Sequence, residues 1–105
     1  MKKSMLDGIP DNIPEEIFET IVSGENIKIE RIISKGHSSE KDFWYNQELN
    51  EFVLVIKGAA SLKLESKEEI ILKPGDYYNI KAHEKHRLDW TDKDTETIWL
   101  AVHYS

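Results

Sequence analysis

The sequence contains no cysteine, so it can form neither a disulfide nor a thiolate metal site, and a metal could be held only by nitrogen or oxygen from His, Asp, Glu, Gln, Asn or Tyr. Long apolar runs are also missing. The opening MKKSMLDGIP carries two lysines and only a scrap of apolar sequence before Asp7 and Gly8, and no later stretch approaches a membrane span. The expectation is a soluble cytoplasmic protein without a membrane partner. Positive charge is in deficit, with 14 Lys and Arg against 20 Asp and Glu, a formal net charge of −6. That balance argues against a surface that tracks phosphates, so small molecules or proteins are the expected partners and nucleic acid is not. There is no internal repeat, low-complexity tract, phosphate loop or nucleophile elbow. With 105 residues, 39% of them hydrophobic, the chain suffices for one modest core.

What is present divides near residue 25. In IPEEIFETIVSG, Pro14 suits a helix start, Glu15 and Glu16 suit the positive end of the helix dipole, and Gly24 suits a stop. Residues 1–25 are therefore expected to form an N-terminal arm with a short helix. From Asn26 onward, short β-rich runs alternate with turn residues: IKIERIIS, EFVLVIKG, ASLKLE, EIILK, DYYNIK, HRLDW and ETIWLAVHY. In ASLKLE, Leu62 and Leu64 alternate with Ser61 and Lys63, one face apolar and the other wet. FVLVI and IWLAV are apolar on both faces and suit strands buried between sheets. Lys73-Pro74-Gly75-Asp76 is a turn, since proline presets one backbone angle and glycine accepts a positive one.

Strand periodicity singles out a few polar residues. Tyr45, Gln47, Glu51, Val53 and Val55 share parity, which turns Glu51 to the same side as two valines if the segment stays extended. An unpaired carboxylate there would cost several kcal/mol, on the order of the effective penalty for a desolvated ion. The alternative is a strand that begins only at Phe52, with Glu51 in water. His86 shares a face with Leu88 and Trp90, as a ligand, a general base or a hydrogen-bonded core histidine. His83 falls in the preceding turn. His103 shares parity with Trp99 and Ala101, and either its face or the opposite one lines the interior.

These pieces, in this order, resemble the cupin superfamily of small jelly-roll barrels over about residues 26–104. The second half of the family's first motif is present, with Glu51 and Gly58 separated by FVLVIK, but its two histidine positions fall on Tyr45 and Gln47, or on Trp44 and Asn46. In the second motif Gly75 and His86 match, while Lys81, His83 and Trp90 replace proline, glycine and asparagine. The stretches FWYNQELNEFVLVIKG, LKPGDYYNIKAHEKHRLDWT and TIWLAVHY look like a subgroup of small single-domain bacterial cupins with an edited metal-ligand motif. The resemblance implies an all-β cupin-type jelly-roll barrel over residues 26–105, preceded by the short helix.

For function, the resemblance implies a small-molecule-binding cupin with a divalent metal site, zinc, manganese, iron or nickel, built from Gln47, Glu51, His86 and His83, with His103 or Tyr45 able to complete the shell. A metal-dependent isomerase or dioxygenase-like enzyme would follow. Tyr45, His103, Trp90 and Trp99 are the expected pocket residues. The rival reading is a metal-free ligand-binding or sensing module without catalysis, in which the edited positions act as hydrogen-bonding groups. A third is a domain that serves only stability or oligomerisation, its barrel filled by side chains. A homodimer is expected, because small open barrels have edge strands to cover.

Overall fold

The computed structural model describes all 105 residues and contains eight strands and no helix. They are β1 (Ile17–Gly24), β2 (Ile27–Ser34), β3 (Asn50–Lys57), β4 (Ala60–Leu64), β5 (Glu69–Leu72), β6 (Tyr77–Ile80), β7 (His86–Thr91) and β8 (Thr97–Tyr104). All pair antiparallel, in a five-stranded sheet ordered β1-β2-β8-β3-β6 and a three-stranded sheet ordered β5-β4-β7. The inward residues of both sheets meet in one core cluster that includes Ile32, Val53, Val55, Leu62, Leu72, Leu88 and Trp99. No helix is long and apolar enough to cross a membrane.

The short N-terminal helix expected at the start of the chain is not formed. Residues 17–24 are instead β1, paired with β2 from Ile17↔Ile33 to Gly24↔Ile27. The proline and acidic pair suit a helix start, but Ile17, Thr20, Ile21 and Val22 are β-branched and lose side-chain freedom in a helix. Pairing satisfies the free edge of β2, and the link is a tight hairpin in which Asn26 takes a positive φ of 61°, a conformation asparagine tolerates. The seven runs read as strands from residue 26 onward each fall within about one residue of an observed strand.

Parity holds in β3, where Val53 and Val55 are buried, although Phe52, Leu54 and Ile56 on its other face are only half covered. It fails in two places. Ser61, expected on a wet face, is fully buried and its hydroxyl has no partner. Opposite it, β7 carries a bulge: Leu62 pairs with Leu88 and Ser61 with Trp90, leaving Asp89 over. The extra residue reverses the alternation, so His86 and Leu88 point inward while Trp90 is turned out and Thr91 in.

Outside the five-stranded sheet, Ile33 and Ile98 are buried as a cross-strand pair. On that face Arg31 donates to the carbonyls of Met5 (3.1 Å) and Asp7 (2.6 Å) and pairs with Glu19, tying the N-terminal segment down. Two glycine turns fix the passages between sheets. At Pro74-Gly75 the Asp76 amide donates to the Lys73 carbonyl (2.8 Å) and Gly75 has φ +93°. At Gly58, φ is +84°, and an added Cβ would lie 2.5 Å from Thr97 Oγ1 and 2.7 Å from the Glu96 carbonyl. Gly58→Ala is therefore expected to cost more than about 2 kcal/mol, from backbone strain plus a clash with backbone that cannot yield. Gly75→Ala, with open space around the site, should cost roughly 1 kcal/mol. Denaturant unfolding of both variants checks the difference.

Candidate functional site

A cavity of about 440 Å³ opens between the two sheets. Its walls come from strands whose inward residues are polar at one end and apolar at the other. The three adjacent strands β2, β8 and β3 supply Glu30, His103 and Glu51, and β7 supplies His86 from across the barrel. Val53, Leu62, Ile80, Leu88 and Trp99 form the apolar floor. The polar end is built on paired strands: Glu51 faces His103 across β3 and β8, and Lys28 faces His103 across β2 and β8.

The segment before β3 closes one side. Tyr45 bridges to His86 by two backbone hydrogen bonds, its amide to the His86 carbonyl (2.7 Å) and the return bond at 3.2 Å. Its ring stacks on the His86 imidazole, centroids 5.5 Å apart and 21° from parallel. Gln47 also lines the cavity, and its amide oxygen is buried without a partner.

Glu51 is only 8% exposed, so the strand runs through it and does not begin at Phe52. Burial pushes its carboxyl above the ordinary value of 4.5; the neighbouring His103 and His86 pull it back, and Glu30 adds to the rise. The imidazole nitrogen His103 Nε2 is 3.9 Å from Glu51 Oε2, too far for a hydrogen bond. The same nitrogen is 2.8 Å from Glu30 Oε1, and the other Glu30 oxygen meets Lys28 Nζ at 3.2 Å. His86 Nδ1 lies 2.9 Å from the Glu84 carbonyl, which only accepts, so the proton sits on Nδ1 and Nε2 is left as an acceptor. Burial, with Glu16 and Glu51 nearby, likewise raises the Tyr45 phenol.

Of the residues read as metal ligands or pocket residues, Gln47, Glu51, His86, Tyr45, His103 and Trp99 line this one cavity. His83 does not: it is exposed, at φ +63°, with Nδ1 donating to Asn46 Oδ1 (2.8 Å). Trp90 is turned outward by the β7 bulge and is 38% exposed. Glu30, Lys28 and Glu16 were not among the residues read as site residues. Parity joins Lys28 and Glu30 to Ile32, but the opposite face of IKIERIIS carries Ile27, Ile29 and Ile33 and looks the more buried. In the fold that richer face lies outside the sheet, where the N-terminal segment crosses it.

The donor set does not fit a resident metal ion. Nowhere do three or more His, Asp or Glu side chains converge to hold one. His103 is engaged by Glu30, His83 is at the surface, and Gln47 offers only a neutral amide oxygen.

The cupin domain family matches residues 29–103. The chain belongs to the cupins. A candidate mannose-6-phosphate isomerase from Ralstonia eutropha JMP134 is 37% identical, with 100% of this chain and 98% of that one covered at a TM-score of 0.96. A cupin superfamily protein from Desulfitobacterium hafniense DCB-2 shares the fold at 16% identity, covering 91% and 83% of the two chains at a TM-score of 0.75. The Fe(II) form of HppE does so at 17% identity and a TM-score of 0.73, covering 94% of this cupin and 55% of its own chain. A comparison with curated proteins returns no match.

Glu51 has a definite consequence for stability. Unfolded, it titrates near 4.5; folded, it titrates higher. Between those values the folded state keeps a proton that the unfolded state has lost, so stability falls as pH rises through the window. Glu51→Gln removes this dependence. Its melting temperature is expected to exceed that of the native protein at neutral pH and to decline less from acid to neutral conditions, as thermal melts across that range will show.

Proposed function

We propose that this cupin binds a small, neutral, polyhydroxylated metabolite in its barrel without a resident metal ion. The observation that carries the reading is the cavity itself: its volume falls within the range of ligand sites, and buried acid, imidazole and amide groups gather at one end above an apolar floor. Its only lining cation, Lys28, is already paired with Glu30, while Glu16, Glu30 and Glu51 give the walls a negative bias. A phosphate or carboxylate would find no free positive partner there. Hydroxyl groups are the better match, since each can donate to Glu51 or to His86 Nε2 and accept from protonated groups. The candidate isomerase from Ralstonia is named for a sugar phosphate; the sugar half of that name suits this cavity, and the phosphate half has no support in its lining. An isomerase or dioxygenase that depends on a divalent metal would require a set of ligands that these side chains do not supply.

Melting in the presence of neutral sugars and polyols, and in parallel their phosphates, tests this directly. A binding sugar is expected to raise stability by about 2.7 kcal/mol at ~100 times its Kd, with chelation leaving the melting temperature alone. Stabilisation by phosphates only, or a loss of stability on chelation that zinc, manganese, iron or nickel restores, would overturn it. We also propose that a second copy covers the outer face of the five-stranded sheet, where Phe52, Leu54, Leu100 and Val102 are half-buried and Val22 and Tyr77 exposed. Light scattering on the eluting protein should give twice the chain mass of 12.2 kDa, and Leu100→Lys should give the monomer.

A further inference from the structure

The inward residues of the five-stranded sheet fall into layers. Across β2, β8 and β3 the register sets Lys28 and Glu51 on either side of His103, then Glu30 and Val53 on either side of Ala101, then Ile32 and Val55 on either side of Trp99. Successive layers are two residues apart along a strand, about 6.8 Å. The first layer is polar and lies at the mouth, where the Lys28 side chain is 47% exposed. The second holds one polar residue, Glu30, and both of its oxygens are engaged by the first, at 3.2 Å from Lys28 Nζ and 2.8 Å from His103 Nε2. The third is apolar except for the Trp99 indole N–H, which donates to Ser34 Oγ at 3.3 Å. Leu62 and Leu88, a cross-strand pair, line the cavity from the other sheet. The backbone offers the floor nothing further, since β2, β8 and β3 are each paired on both sides. Groups with hydrogen-bonding capacity to spare therefore gather near Glu51: His86 Nε2 is a bare acceptor, and Gln47, which bonds the Glu51 carboxyl through its side chain, keeps an unpartnered amide oxygen.

We propose that the ligand is an amphipathic polyol, with its hydroxyls confined to one end and an alkyl or aryl group at the other that enters first and fills the floor. The inference rests on the neutral polyhydroxylated ligand put forward above and narrows it. An unsubstituted sugar bears a hydroxyl on nearly every carbon, and any that reached the floor would lose water and gain no partner. Held at the mouth instead, it would leave the floor to water that the apolar side chains cannot bond. A hydrocarbon group removes both costs. Glu51, Gln47 and His86 then read the hydroxyls, while Val53, Leu62 and Trp99 select the substituent.

The test uses the full chain and titration calorimetry with glucose, its methyl, butyl and phenyl glucosides, glycerol and 1-O-butylglycerol. Affinity is expected to rise along each series, by about fourfold for every methylene buried, with an increasingly negative heat-capacity change. The 4-hydroxybutyl glucoside, which carries one hydroxyl down to the floor, should bind about 5- to 150-fold more weakly than the butyl glucoside. Val53→Thr keeps the shape of the floor and adds a hydroxyl to it, so it should reduce the gain from the butyl group while leaving the affinity for glucose and glycerol unchanged. The native series decides the matter even if that variant does not fold. Equal affinity for parent and butylated polyols overturns this inference alone, as does a 4-hydroxybutyl glucoside that binds as tightly as the butyl one. Failure of every polyol and glucoside to bind, or butanol binding as tightly as the butyl glucoside, overturns the neutral-ligand reading and this inference with it.

Discussion

A carboxylate held out of water is the constraint around which this barrel is arranged. Glu51 lies on the inward face of a central strand, where an ion would ordinarily be neutralised, paired or bound to a cation. Here the second carboxylate, Glu30, engages Lys28 and His103, and leaves Glu51 with the side chain of Gln47 and a distant imidazole. The sheet absorbs the cost through neighbouring strands whose inward residues are almost wholly apolar lower in the barrel. Apolar packing is thus concentrated at one end and polar side chains at the other, and the same strands serve both.

How the chain reaches this state explains the division. Gly58 and Gly75 each take a backbone angle that other residues resist, and each sits where the chain passes from one sheet to the other. Gly58 also packs against Thr97, whose hydroxyl donates to the Ala59 carbonyl and accepts from the Ala59 amide. The first residue of β8 is thereby fixed against the exit from β3. Since His103 lies on β8 and Glu51 on β3, a turn remote from the cavity helps to set the register between them.

Much of this was legible in the sequence. Alternation placed Glu51 on the side of Val53 and Val55, and the spacing from Glu51 to Gly58 pointed to the cupin barrel. Chain pairing decided what alternation could not. The segment after Pro14 carried helix signals strong enough to hide a strand, because the free edge of β2 that it satisfies lies beyond any local window. Glu30 was hidden for a related reason. Its strand has isoleucines on both faces, and only the N-terminal segment crossing one of them shows which face is outside.

The bulge in β7 reaches beyond the residues it displaces. The second cupin motif counts positions along the chain, as though equal spacing meant equal direction. Up to Leu88 the count and the geometry agree, and His86 arrives in the cavity. One uncounted residue later they part company, and Trp90 occupies the motif's final position while facing solvent. A motif written as a one-dimensional interval therefore has a frame, and a single unpaired residue shifts it. Site assignments carried between cupins by spacing hold only on the near side of such a shift.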